Sequence, residues 1–478
     1  MNVAIVFYIL ARVLQVEGAF LMLPFLVGMC YREKEAFAFL LVGAVLFLIG
    51  TFAARKKPKN TSFYAKEGFV TVTLSWIVLG ITGAVPYVLN GDIPHYINAV
   101  FEIVSGFTTT GASILTNVEG LSYSSKFWRC FSNWIGGMGV LVFVLSILPL
   151  GGAQNIYIMK AESPGPSVGK LVPKVKSTAA NLYKIYCGMT LIEIILLLFG
   201  GLDLFSAVTL SFSTAGTGGF AVLNSGCLSY SSYVQIVLTI FMIAFGVNFS
   251  VYYLILTKRV KQAVKSEELR WYLIIMFSAI IMILCNVADR FDSIFAAVKH
   301  VSFTVGSIMT STGLSTVDFN LWPTFSKTLL VLLMFVGACA GSTGGGIKVS
   351  RIVIYFKTMT KMVGQQLHPR SIKVVKFEGK PVEHDVIRGV NAYLVSFLFL
   401  YACSMLLLAL DNFDFETNFS AVIACINNIG PGIGLVGPAG NYSEFSWLSK
   451  LVMSIDMLAG RLEIFPLLVF CSPKTYKK

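Results

Sequence analysis

The sequence predicts an all-α polytopic membrane protein. Four pseudo-symmetric span–re-entrant loop–span repeats surround a central pore, and an extra N-terminal helical hairpin precedes them. Three observations predict this. The 478 residues are 56% hydrophobic and only 13% charged, about half the charged share of a soluble domain. A turn of small residues leading into glycine occurs four times: FTTTGAS at 107–113, STAGTGGF at 213–220, TSTGLST at 310–316 and NNIGPGIG at 427–434. The glycines Gly111, Gly216, Gly313 and Gly430 stand about a hundred residues apart, room for two spans and a hairpin.

Residues 3–29 and 36–54 are each long enough to cross a bilayer and contain no such turn, so they form the added hairpin, 1–66. Arg12 and Glu17 interrupt the first run and no small-residue cleavage site follows, which predicts a retained span rather than a signal peptide. The repeats then occupy 67–181, 182–270, 271–388 and 389–478. Their spans are read at 68–89 and 127–151, 182–201 and 233–257, 271–289 and 324–356, and 389–410 and 447–471. Between each pair lies an apolar stretch, at 97–107, 203–212, 293–309 and 417–426. These stretches are too short for about 30 Å of hydrocarbon and suit re-entrant helices. FSAV begins eleven residues before the glycine in both the second and fourth repeats. Asp203, Asp292 and Glu416 stand near the starts of three short segments, where a carboxylate favours a helix N-terminus.

Charge orients the chain. The inter-repeat loops carry Lys160, Lys170, Lys174 and Lys176, then Lys258, Arg259, Lys261 and Lys265, then a basic run over 348–388. The opposite face carries Asp92, Asp318, Asp411, Asp414, Glu416 and Glu444. Ten spans with both termini cytoplasmic satisfy the positive-inside rule. That rule also accounts for the net charge of +13, and no aromatic-plus-basic surface points to nucleic acid. Nine scattered cysteines and four scattered histidines support neither a zinc site nor a disulfide frame.

The glycine turns suggest chemistry. A dehydrated potassium ion needs several inward-pointing oxygens with little net charge, and backbone carbonyls supply them where glycine lets the peptide turn. The expected filter is Thr109, Thr110 and Gly111; Thr214, Ala215 and Gly216; Ser311, Thr312 and Gly313; and Asn428, Ile429 and Gly430. The competing reading is a set of helix-packing glycines. It accounts well for one turn and poorly for four, each following a helix too short to span.

Gly341, Ser342, Thr343, Gly344, Gly345 and Gly346 fall inside the expected second span of the third repeat. Three consecutive glycines cannot hold a lipid-facing helix, so a break shielded by protein or water is expected, read as a flexible gate beneath the filter. A packing kink is the alternative. GSTGGGIK is close to a phosphate loop, but Ile347 separates glycine from Lys348 and no strand precedes it. Arg461 lies near mid-membrane in the last span, where a guanidinium usually faces a pore or a partner. It is read as an electrostatic barrier below the filter, with an ion pair to another span as the alternative. Glu463 points elsewhere on the helix. Glu102 and Glu193 are read as hydrogen-bonded structural groups, and no nucleophile–base set supports an enzyme.

On the four turns, AGSTGGGIKVSR at 340–351 and GRLEIFP at 460–466, the chain resembles the TrkH/TrkG/KtrB superfamily of bacterial potassium-uptake subunits over nearly its full length. The added hairpin resembles TrkH and TrkG more than KtrB. Related transporters that favour sodium carry serine at the first filter glycine, so Gly111 implies potassium. A sodium-coupled or sodium-selective transporter is the alternative. Asn427, Asn428 and Ile429 depart from the threonine-rich pattern, implying a less regular ring. The resemblance further implies an intramembrane loop that obstructs the path and a homodimer with one pore per subunit in the bacterial inner membrane. It also implies a cytosolic TrkA/KtrA-type nucleotide-binding ring docked on 348–388, with Lys348 and Arg351 placed to transmit its movement.

Overall fold

Two apolar runs build the N-terminal hairpin: α1 (Val3–Phe20) continued by α2 (Met22–Cys30), then α3 (Ala36–Ala53). Glycine makes the contact close. A Cβ on Gly18 would lie 2.6 Å from the Gly43 carbonyl oxygen, and one on Gly50 2.6 Å from that of Ala11. The two backbones therefore touch, the small-residue packing used where lipid is the solvent.

In this computed structural model residues 1–60, 62–139, 175–370 and 373–477 are described, with backbone alone at 175–179. After the hairpin come α4 (Ala65–Gly83), α5 (Val85–Leu89), α6 (Tyr96–Phe107) and α7 (Tyr123–Gly137). The next group is α8 (Val175–Phe199), α9 (Leu204–Gly216), α10 (Ser232–Phe245), α11 (Phe249–Leu256) and the short α12 (Val260–Val264). Then follow α13 (Glu267–Val287), α14 (Ile294–Met309), α15 (Thr324–Phe335) and α16 (Val349–Leu367). A small hairpin of β1 (Lys376–Phe377) and β2 (Lys380–Pro381) leads to α17 (His384–Leu408), α18 (Phe415–Ile426), α19 (Trp447–Arg461) and α20 (Phe465–Cys471). The end of the expected span 127–151, with Lys160, Lys170 and Lys174, lies outside the described residues.

Helices α6, α9, α14 and α18 hold 12, 13, 16 and 12 residues. At 1.5 Å per residue they reach roughly 18–24 Å, short of the hydrocarbon thickness. The three acids stand at or beside the starts of α9, α14 and α18 as expected, and each of these starts has a side-chain cap. Asp203 does accept from the Ser206 amide at 3.0 Å. In α14 the cap is Ser293, accepting from Ala296 at 3.2 Å, and in α18 it is Asp414, accepting from Thr417 at 2.8 Å. Asp292 and Glu416 are each one or two positions from the site a cap requires.

Among the described residues six helices are long and apolar enough to cross a membrane, or seven if α10 and α11 count as one. Ten spans were expected, and the difference lies in the helix that follows each short one. α10 and α11 meet at 93°. Gly246 stands at this elbow, and a Cβ there would lie 2.5 Å from the Tyr272 hydroxyl and 2.8 Å from Thr310 Cγ2. The expected span 447–471 breaks between α19 and α20, where Glu463 and Ile464 have φ of 58° and 66°. A β-branched residue at positive φ is a true backbone outlier. The break between α15 and α16 is the one the triple glycine announced.

Candidate functional site

Each short helix ends in the same backbone device. The residue after its cap, or in α9 the cap itself, adopts left-handed φ: Thr109 at 56°, Thr217 at 54°, Ser311 at 57° and Asn428 at 54°. The next amide then reaches back to a carbonyl five residues earlier. Thr110 N donates to Ser105 O, Gly218 N to Ser213 O, Thr312 N to Ser307 O and Ile429 N to Ala424 O, each at 2.8 Å. A glycine of positive φ follows: Gly111 at 78°, Gly219 at 70°, Gly313 at 81° and Gly430 at 91°. Reversal of the chain at a helix C-terminus needs these left-handed residues.

The register of the second turn differs from expectation by three residues. Thr214, Ala215 and Gly216 are the last residues of α9, and Thr217, Gly218 and Gly219 occupy the positions of Thr109–Gly111. STAGTGGF offers glycine at two registers, and the helix simply continues through the first.

The four glycines close a cycle. A Cβ on Gly111 would collide with the carbonyl oxygen of Gly218, one on Gly219 with that of Thr312, and one on Gly313 with that of Ile429. One on Gly430 would lie 2.6 Å from the Thr110 carbonyl oxygen. Every turn thus presses its glycine on the carbonyl that precedes the glycine of the next. Thr109, Thr110, Thr312, Asn428 and Ile429 are buried around this ring. A cavity of about 170 Å³ opens on one side, bordered by all four glycines.

The returning loops repeat the cycle one layer out. Val118 N donates to Asn224 Oδ1 at 2.7 Å, and Cys227 N to Ser315 O at 2.9 Å. Gly434 N donates to Asn320 Oδ1 at 3.1 Å, and Tyr442 N to Ser113 O at 2.8 Å. Glu102, fully buried, accepts from Ile114 N at 3.0 Å and from Arg129 Nε at 2.8 Å. Arg129 also donates to Ala221 O at 3.2 Å and lies 4.0 Å over the Phe220 ring. This pair ties the first loop to the second. Removing one partner of a buried pair leaves an uncompensated charge, so Arg129→Met is expected to cost about 3–5 kcal/mol. The check is a lowered thermal midpoint in detergent, against a midpoint that does not move.

On the opposite side of the ring lies the glycine-rich loop. Its neck is closed by Gly337 N donating to Ile347 O at 2.8 Å and Val349 N to Ala338 O at 3.2 Å. Gly345 N donates to Ser311 Oγ at 2.5 Å. A Cβ on Gly344 would lie 2.8 Å from the Thr310 carbonyl oxygen, and one on Gly345 would collide with that of Asn427. Only glycine lets the loop sit this close beneath the third and fourth caps. Gly341 O accepts from Phe249 N at 3.0 Å, and Ser342 Oγ donates to Cys339 O at 2.6 Å. Gly346 has φ of 73°.

Three charged side chains hold the loop. Lys348, buried, donates to the Gly344 carbonyl and, at 3.2 Å, to that of Gly345. Arg461 donates to Thr343 O at 2.9 Å and to the carbonyls of Gly136 and Gly137, the latter at 2.7 Å. Glu463, two residues on, pairs with Arg351. Glu268 was not singled out from the sequence. It accepts from Ala340 N at 2.7 Å and Ser350 N at 3.1 Å, clasping both ends of the loop from α13. No spacing rule connects residue 268 to 340 and 350, so nothing in the sequence marks it.

Long apolar helices, half-length helices and a closed ring of glycines against carbonyls define a multi-pass membrane protein. Residues 35–477 match the family described as TrkH, cation transport protein, and the chain belongs to that family. It is a transport protein rather than an enzyme. The chain is 31% identical over 469 residues to the Trk system potassium uptake protein TrkH of Escherichia coli K12, covering 96% of each. It is 32% identical over 456 residues to TrkG of the same organism, covering 94% of this chain and 93% of that one. The crystal structure of the potassium transporter TrkH from Vibrio parahaemolyticus superposes with a TM-score of 0.91 at 28% identity, covering all of both chains.

Proposed function

We propose that this chain takes up potassium across the bacterial inner membrane, passing the ion through the ring of carbonyls at Thr109–Gly111, Thr217–Gly219, Ser311–Gly313 and Asn428–Gly430. The observation that carries the reading is the cyclic contact of each glycine with the next turn's carbonyl. Such a ring exchanges an ion's water for backbone oxygen at little net charge. The short helices end on it, and their C-terminal dipoles favour a cation there. Family membership with potassium uptake proteins supports the choice of ion. Four pseudo-symmetric repeats within one chain are the arrangement this reading requires.

The glycine-rich loop is then the gate, held shut by Arg461, Lys348 and Glu268, with the cavity on the far side of the ring as the outer vestibule. The basic segment 348–388 faces the cytoplasm with both termini, where a nucleotide-binding ring of the TrkA/KtrA type docks on a homodimer and moves the gate through Lys348 and Arg351.

The test is ion flux into liposomes bearing the purified protein, potassium against sodium. Preference for potassium is expected. Sodium entering equally well would favour the sodium-selective alternative and remove this reading. A second test addresses the gate. Glu268→Ala frees two loop amides from their acceptor, so basal potassium flux without any partner is expected to rise roughly tenfold, the equivalent of about 1.4 kcal/mol of lost loop restraint. Flux at the unaltered level would show that Glu268 restrains nothing that gates.

A further inference from the structure

Away from the ring, a trough of about 580 Å³ lies between the start of α13, the outer face of α16 and the irregular segment leading into β1. That volume is within the usual range of ligand clefts, about 300–1,000 Å³. Its floor is apolar: Trp271 and Ile275 from α13, Ile352 and Phe356 from α16, and Val374. Its rim carries Lys357, Lys361, Lys373 and Lys376. Lys357 is occupied, pairing with Glu267 and donating to Lys376 O at 2.8 Å. Among the described residues no carboxylate pairs with Lys361, Lys373 or Lys376, so one end of an apolar trough holds uncompensated positive charge.

Beside the trough, α13 also carries exposed apolar surface that belongs in hydrocarbon. Ile274, Phe277 and Ile281 are exposed along α13, about one to three turns beyond Trp271. Trp271 is only the fifth residue of that helix and follows the basic stretch Lys258–Lys265. A tryptophan between an apolar stripe and a basic loop marks the headgroup level. An occupant must therefore be apolar toward α13's stripe and anionic at the lysines. A basic pocket between spans on the cytoplasmic side binds acidic lipid headgroups on this logic.

We propose that the trough is a binding site for one anionic phospholipid of the cytoplasmic leaflet. Its phosphate sits on Lys361 and Lys373, and an acyl chain lies along Trp271 and Phe356. Lys373 is pre-placed for this. Its ammonium would stand 3.1 Å from a Cβ added to Gly364, so the side chain already lies across α16. The site bears on transport because α16 begins directly after Lys348, the residue that closes the glycine-rich loop. A lipid bridging α13 and α16 couples leaflet composition to the segment beneath the ring.

The experiment is native mass spectrometry of the purified full chain, delipidated in detergent and offered phosphatidylglycerol, phosphatidylcholine or inorganic phosphate. The unaltered protein is expected to retain phosphatidylglycerol at least about tenfold better than phosphatidylcholine. K361Q/K373Q is expected to erase that preference, while K258Q/K261Q, which removes equal charge outside the trough, leaves it intact. Equal loss in both double variants would mean diffuse attraction and overturn the site. So would displacement of the lipid by millimolar inorganic phosphate, which would assign the lysines to a soluble anion. A changed oligomeric state in K361Q/K373Q with lipid retention untouched would assign the trough to a second protein chain instead.

Discussion

Gly219→Ala is expected to reduce potassium flux at least about a hundredfold while the protein remains folded. The residue sits at φ of 70°, and its added Cβ would collide with the carbonyl oxygen of Thr312. Left-handed backbone costs an ordinary residue about 1–2 kcal/mol. The collision is the larger matter, because relief requires turning the third segment's carbonyl away from its place in the ring. A misplacement worth about 2.7 kcal/mol to a passing ion is a hundredfold in rate. Gly226→Ala is the matched control. It has φ of 60° and meets Ser315 O at 3.1 Å, outside the ring. It is expected to lower thermal stability slightly and leave the preference for potassium over sodium unchanged. Normal flux and preference in Gly219→Ala would remove the second turn from the ion path.

The second large effect is expected from Arg461→Ala. The guanidinium joins Thr343 of the glycine-rich loop to the end of α7 at Gly136 and Gly137. One substitution therefore removes a positive charge and three donated hydrogen bonds. A unit charge about 6–8 Å from a cation opposes it by roughly 2–3 kcal/mol at an effective dielectric near 20. Partner-free potassium flux is expected to rise about ten- to a hundredfold. Arg461→Lys separates the two contributions, since ammonium keeps the charge but cannot span three carbonyls in the guanidinium's planar fork. Flux in Arg461→Lys close to that of Arg461→Ala would mean that tethering dominates. Flux unchanged in both would end the barrier role.

Some of this arrangement could be read directly along the chain. The repeated glycine turns, the half-length apolar segments and the triple glycine within a span are local patterns, and each reports a local demand on the backbone. Gly111, Gly313 and Gly430 stand where expected for that reason. Glu102 is likewise the structural group it was read as, and Arg129 is the partner that composition could not supply. The second turn resisted because Gly216 and Gly219 satisfy the same local pattern, and the choice depends on how far α9 runs before it meets Asn133. The elbows at Gly246 and Ile464 went unread because their apolar flanks look continuous.

Hydrophobicity and glycine placement were sufficient for the membrane, the short helices and the location of the turns, since each answers to solvent or to φ within a few residues. The partners of charged groups were settled by packing. Arg461 finds carbonyls more than three hundred residues away, Arg351 takes Glu463, and Glu268 clasps a loop seventy-two residues downstream. In a low-dielectric interior a charge must be satisfied by whatever folding brings beside it. That adjacency is a property of three-dimensional space, and no periodicity along the chain encodes it.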